Sequence, residues 1–377
     1  MNPEVLYTAA HAEFPDTEPL GGGKAVADYL IREWQQVQPF PLAVLSPLSL
    51  KLSLTKPLVD MGELEYARFC RRFEHAVTAE ILKRDPQRSG ILSNDISEGP
   101  DFTMLGRRGY RSVTIFHVDV VEYFTKFYLH NLVQPEWLTH PRWFGLMPDV
   151  LRLVFQKQYD CVRHSARIIV PSTPMRETIL RCYPRCPAEK ITVLPWENIS
   201  APIPAGAPLL RLPAITDEDF VIMTLSRLSP EKGIERLLRA LRLVPGKFRV
   251  LICGAAAYMN GKCYERKLRR LADERVEFLG HVTGPQKVAL LRRADLFVSP
   301  SRHESYGLTI AEAQAAGCRV ISHNHYGASG SVVDCADPSK LAATLRAVLA
   351  TGRTQKVEVA SSPSRAAEQL ATLLATM

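Results

Sequence analysis

The segment Arg293-Ala-Asp-Leu-Phe-Val-Ser-Pro-Ser-Arg-His-Glu304-Ser-Tyr-Gly307-Leu-Thr-Ile-Ala-Glu312-Ala-Gln-Ala-Ala-Gly317-Cys-Arg-Val-Ile321 reads as strand, loop, helix and strand. Leu296-Phe-Val298 is an apolar run closed by Ser-Pro-Ser, and Val320-Ile321 begins another beyond Gly317, a glycine placed as a helix C-cap. Between them Leu308 to Ala316 is a run of good helix formers. The first N–H groups of such a helix have no partner within it, which makes its start an anion site. Glu304 falls in the loop just before the helix and Glu312 inside it. Two carboxylates beside a phosphate-binding helix start suit a ligand that is part hydroxyl-rich and part phosphorylated. Solvated glutamates on an ordinary crossover helix would give the same pattern, so the rest of the chain has to decide.

In this setting Glu304-x7-Glu312 resembles the signature of the family 4 (GT4) retaining glycosyltransferases, which have the GT-B architecture. The resemblance implies that Glu304 lies by the donor sugar and that Glu312 binds the ribose hydroxyls. It also implies that the backbone amides of Tyr306, Gly307 and Leu308 meet the diphosphate. A second specific match is Ser226-Arg227-Leu-Ser-Pro-Glu-Lys232-Gly, a loop between the strand Phe220–Leu225 and a helix. There the family pattern places an Arg and a Lys on the donor diphosphate. Arg227 can fork onto two phosphate oxygens, while Lys232 supplies a compact point charge. The strands Phe248–Gly254 and Val276–Gly280 end in glycines, and by the resemblance Gly254 lies near the nucleotide and His281 edges the base pocket.

The N-terminal half reads less clearly. A strand at Val5–Thr8 and a polar loop precede Gly21-Gly-Gly-Lys, which opens an apolar-periodic helix. This run has neither a dinucleotide fingerprint nor a Walker loop, but the family pattern has a Gly-Gly loop facing the donor phosphates, which points to Gly22 and Gly23. Ser112-Val-Thr-Ile-Phe-His117-Val-Asp119 is a strand ending in His and Asp. Ligands of open α/β sheets bind at strand carboxyl ends, and the family places a His there near the reacting sugar, so His117 joins the candidate set. Residues 60–88, with Arg68, Arg71, Arg72 and Arg84, read as a charged helix on the acceptor side, and the loop Asp95–Asp101 as a lining element.

At 377 residues two cores are expected, and Ser200-Ala-Pro-Ile-Pro-Ala-Gly-Ala-Pro208 is the best boundary. The predicted fold class is α/β, GT-B: two doubly wound Rossmann-like domains facing across a cleft. Residues 1–199 form the N-terminal acceptor-side domain, 200–213 the linker and 214–363 the C-terminal nucleotide-sugar-binding domain. The helical pattern of 364–377 is expected to rejoin the first domain. Past Ile321 the sequence departs from the family: 322–338 is short and has no Glu, which bears on donor-side detail.

Composition narrows the partners. Residues 1–200 hold 23 basic and 23 acidic side chains, so the net +8 lies in 201–377. Much of it falls in Lys262–Arg270 and Gln286–Arg293, which read as solvated helix faces, with contact to anionic lipid headgroups as the other use. No nucleic-acid-binding motif is present. No apolar run approaches the ~18 residues needed to span a bilayer, and Met1–Ala10 has no basic n-region, so a cytoplasmic place, with the inner face of the membrane as the other setting, is expected. Eight scattered cysteines suit reduced thiols, and neither Cys182-x3-Cys186 nor His323-x-His325 has metal-site spacing. No Asp-x-Asp pair stands at a strand end with a matching ligand set, so metal-independent chemistry is expected.

The activity these readings imply is retaining transfer of a sugar from a nucleotide-diphosphate donor, UDP- or GDP-linked, to an acceptor hydroxyl. The acceptor is a sugar, a lipid-linked molecule or a small molecule, and no cofactor is expected beside the donor. His117, Arg227, Lys232 and Glu304 are the expected catalytic set, within polysaccharide or glycoconjugate biosynthesis. A nucleotide-sugar-binding pseudoenzyme and a sugar-nucleotide epimerase share the same fold expectation.

Overall fold

The structure, a computed structural model, describes residues 4–15, 21–37, 40–54, 56–196, 199, 215–257, 261–323, 330–356 and 364–376. The Pro-rich boundary at 200–213 lies outside the described residues. The chain divides into two compact units, one of Met1–Phe14, Gly22–Trp196 and Ser364–Met377, the other of Pro15–Gly21 and Glu197–Pro363.

The first unit holds a parallel sheet of Glu4–Thr8 (β1), Leu42–Leu45 (β2), Ser89–Ser93 (β3), Arg111–Ile115 (β4), Arg167–Val170 (β5) and Ile191–Val193 (β6), in the order β2-β1-β3-β4-β5-β6. Strand order reverses between β1 and β3, so their carboxyl ends open a crevice of the kind that binds ligands in doubly wound folds. Phe116, Ile168 and Val170 pack with Cys161, Met175 and Ile179 on one face. The helix Ala366–Ala375 belongs to this unit and lies on the helix Gly22–Val37, where the Tyr29 hydroxyl donates to Ser364 O at 3.0 Å and accepts from the Ala367 amide at 3.3 Å.

The second unit holds Val221–Leu225 (β7), Arg249–Cys253 (β8), Val276–Gly280 (β9), Leu296–Ser299 (β10), Arg319–Ser322 (β11) and Ser331–Val332 (β12), all parallel, in the order β12-β11-β10-β7-β8-β9. Successive residues point to opposite faces, and both faces are covered. Ile222, Val250, Ile252, Leu296 and Val298 meet Leu237, Leu241 and Leu345 on one side. Val221, Met223, Leu251 and Phe297 meet Leu290, Leu291 and Ile310 on the other. Two-sided burial explains why these strands read as unbroken apolar runs, each large side chain contributing about 1.5–3 kcal/mol. Here the switch point lies between β7 and β10, the two strands that carry the specific motifs of the sequence.

Two segments depart from expectation. Gly22 and Gly23 lie in the helix Gly22–Val37 itself, and only Gly21, at φ +86°, is left-handed. In Gln286–Arg293 two cations are used internally: Lys287 pairs with Glu312 at 2.6 Å, and Arg293 donates to Thr216 O and Asp219 O at 2.7 and 2.8 Å. Lys262–Arg270, by contrast, has the exposed basic face expected of it. Among the described residues no helix is long and apolar enough to cross a membrane.

Candidate active site

In the second unit the turn after β7 and the loop after β10 are stitched together by backbone. Gly233, at φ +61°, passes so close to Pro300 that a Cβ would lie 2.5 Å from its carbonyl oxygen, and the Arg302 amide donates to Glu231 O at 2.7 Å. Gly254 does the same beside β8: at φ +141° a Cβ there would lie 1.8 Å from Ser226 O. The close approach, more than ligand contact, is what demands a glycine at 254.

On this frame Lys232 Nζ lies 2.6 Å from Glu304 Oε1, which also accepts from the Ser301 hydroxyl at 2.8 Å. Arg227 Nη2 stands 3.6 Å from Glu231 Oε1, and Glu231, 4% exposed, also accepts from the Ser229 hydroxyl. Arg302 reaches back to Glu235 at 2.6 Å. Gly307, at φ +88°, caps the helix Leu308–Ala315, and its carbonyl accepts from the Ile310 amide at 2.9 Å. Tyr306 is buried behind this turn. Glu312, four residues into the helix, is held by Lys287 from the helix Gly284–Arg293. His281 follows β9, the edge strand two places from β7, and is exposed.

In the first unit the carboxyl ends of β1, β3 and β4 gather a buried polar network that sequence reasoning found only in part. Glu98, 1% exposed, accepts from the His11 ring nitrogen Nδ1 at 2.7 Å and from the His11 amide at 3.3 Å. The Asn94 side-chain amide donates to both Glu98 oxygens at 3.3 and 3.2 Å and to Gly23 O at 3.2 Å. Its Oδ1 accepts from the Tyr7 hydroxyl at 2.7 Å and lies 3.4 Å from His117 Nε2. A Cβ on Gly23 would stand 3.7 Å from His117 Cδ2, so two predicted residues, Gly23 and His117, are neighbours.

Burial raises the Glu98 carboxyl, but His11 and its hydrogen bond, with His117 and Asn94, outweigh it and hold Glu98 below the ordinary range. Burial also lowers the His117 imidazole against the pull of Asp95 and Glu98, and pushes Asp95 up. Burial, with Glu98 and Asp28 nearby, keeps Tyr7 protonated. Asp119 is engaged elsewhere, since its Oδ1 caps the helix Val120–Phe127 through the Glu122 amide at 2.8 Å, and Gln158 donates to its Oδ2 at 3.0 Å. His11 and Asn94 were missed and Glu98 was read only as part of the lining loop Asp95–Asp101, because no local pattern marks them and His11 lies 87 residues from Glu98. Lys287 was missed because it sits in a basic run.

Residues 211–357 match the family model for Glycosyl transferases group 1. Within the curated proteins, an uncharacterized glycosyltransferase of Methanocaldococcus jannaschii is 28% identical over 188 residues, 47% of this chain and 47% of that protein. The D-inositol 3-phosphate glycosyltransferase of Mycolicibacterium smegmatis is 38% identical over 147 residues, 36% of this chain and 33% of that protein. The matched stretches thus span between a third and a half of these relatives' lengths. Among solved structures, WaaG, a glycosyltransferase involved in lipopolysaccharide biosynthesis, superposes with a TM-score of 0.64 over 98% of this chain and 99% of that one, at 14% identity. Anabaena Alr3699/HepE in complex with UDP-glucose gives 0.61 over 100% and 97%, at 16% identity. Likeness at that level of identity establishes the fold, and the two six-stranded parallel sheets are those of GT-B.

Proposed function

We propose that the protein is a retaining glycosyltransferase of the GT4 kind, moving a sugar from a nucleotide-diphosphate donor to an acceptor hydroxyl without a metal. The observation that carries this reading is the contact of Lys232 with Glu304 at 2.6 Å, which joins the two motif-bearing loops at the switch point of the group 1 segment. An ammonium has three donors, so Lys232 can hold Glu304 and a phosphate oxygen together. Arg227 forks onto the same diphosphate, and the amides of Tyr306, Gly307 and Leu308 meet it at the helix start. Charge-assisted bonds of this type are worth on the order of 1.5–3 kcal/mol each, enough for two cations and a helix start to stabilise the departing diphosphate.

Glu304 then orients the donor sugar and Glu312, steadied by Lys287, the ribose. Gly254 and His281, at the ends of β8 and β9, are assigned to the nucleoside. From the first unit we assign His117 to the reacting sugar and the Gly22-Gly23 helix start to close backbone approach. UDP-sugars are the first donors to try, since HepE was solved with UDP-glucose, and GDP-sugars the second. A sugar, lipid-linked or small-molecule acceptor, a cytoplasmic place at or near the inner membrane face, and a role in glycoconjugate or polysaccharide synthesis go with this reading.

Thermal-shift titration with UDP-, GDP- and ADP-sugars tests it, followed by transfer assays with the product anomer read by NMR. Lys232→Ala and Glu312→Ala are expected to lose the donor-induced shift. If both variants are stabilised by every donor as strongly as the parent, the assignment is wrong. Donor binding with neither transfer nor hydrolysis would return a pseudoenzyme, and acceptor-free interconversion of nucleotide sugars an epimerase.

A further inference from the structure

The network at the carboxyl ends of β1, β3 and β4 fixes more than the position of His117. On one side of Asn94 stand three acceptor oxygens, the two of Glu98 and the carbonyl of Gly23. An amide NH2 satisfies them and an amide oxygen would be repelled by them, so Asn94 has a single orientation and its Oδ1 faces the other way. There it receives the Tyr7 hydroxyl at 2.7 Å and looks onto His117 Nε2 at 3.4 Å. An oxygen acceptor opposite a ring nitrogen requires that nitrogen to carry the proton. A neutral imidazole has one N–H, so Nδ1 keeps its lone pair.

We propose that Glu98, acting through Asn94, is a positioning residue that holds His117 in the Nε2–H tautomer, so that Nδ1 accepts a hydrogen bond from a hydroxyl of a sugar substrate. Glu98 touches no substrate in this scheme. Its carboxylate, buried and kept ionised by His11, can only accept, as can the Gly23 carbonyl beside it, and the two set the direction of every bond downstream. The substrate part of this inference rests on the proposed transferase reading, while the tautomer itself does not. The charged and titratable groups facing His117 are Asp95, Glu98 and His11, and burial outweighs the two carboxylates, so the ring is neutral at pH 7.

The full chain with 15N-labelled histidine tests it, by two-bond proton–nitrogen correlation spectra at pH 7.5, with His117→Gln used for assignment. The parent is expected to give a sole Nε2–H form for His117. Asn94→Leu and Glu98→Leu, each checked for native circular dichroism, are expected to give a mixture of tautomers. A parent signal of the Nδ1–H form, or a folded leucine variant with the parent's signal, overturns the proposal. Should neither leucine variant fold, Asn94→Asp decides, because a carboxylate against Nε2 raises the His117 protonation midpoint by about one unit or more. An unchanged midpoint in that variant also overturns the proposal. In transfer assays the acid limb of kcat in Asn94→Asp should move with the spectroscopic midpoint. If no donor is turned over at all, the transferase reading fails while the spectra still settle the tautomer.

Discussion

Gly23 and Gly254 were both singled out in the sequence, and their surroundings predict opposite behaviour. A Cβ on Gly254 would sit 1.8 Å from Ser226 O at φ +141°, so Gly254→Ala has to displace the backbone that carries Arg227. Strain of that kind costs on the order of 1–3 kcal/mol, and the variant should melt lower and bind donor more weakly together. A Cβ on Gly23 meets nothing nearer than 3.7 Å in a helical backbone, so Gly23→Ala should be neutral or more stable by up to about 1 kcal/mol. Activity lost in Gly23→Ala at undiminished Tm would support close ligand approach there; unchanged activity would leave a plain helix start. Glu304, Glu312, Arg227 and Lys232 could be picked out from sequence because their motifs are local. The partners that hold them, Lys287 and Glu231, could not, since one sits in a run of cations and the other is an ordinary glutamate until burial is known.

At the scale of elements, the strands were legible wherever both faces are covered, because β7, β8 and β10 leave no polar alternation to confuse them. The edge strands β2 and β12 were not: four residues behind a proline and two exposed residues carry too little pattern. Asp119, which follows the strand-end His117 in the sequence, works as the cap of the helix Val120–Phe127. Burial raises the Asp119 carboxyl to about 6. The folded chain therefore holds this proton more tightly than the unfolded one. The stabilisation is full below the unfolded value near 4 and is lost as pH rises through about 6. Its size is on the order of 3 kcal/mol. Urea unfolding at pH 4.5 and pH 7.5 checks it: Asp119→Asn should flatten the difference, and an equal slope in parent and variant would deny it.

For the whole molecule, each unit has its own parallel sheet with its own buried faces, so two unfolding transitions are expected by calorimetry. A UDP-sugar at about 100 times its Kd should raise the second unit's transition by about 2.7 kcal/mol. A donor that shifted only the first unit's transition would contradict the placement of Arg227, Lys232 and Glu312. The GT-B pattern was readable because alternation of strand and helix restarts after the Pro-rich stretch. The first unit's buried polar network was not, because His11 reaches the Asn94–Glu98 loop only once β1 and β3 pair. The return of Ala366–Ala375 to the first unit has a practical outcome for protein engineering. Nearly all of the second unit is inserted in the first between Trp196 and Ser364, so the corresponding segment of a related chain can be exchanged at those two seams.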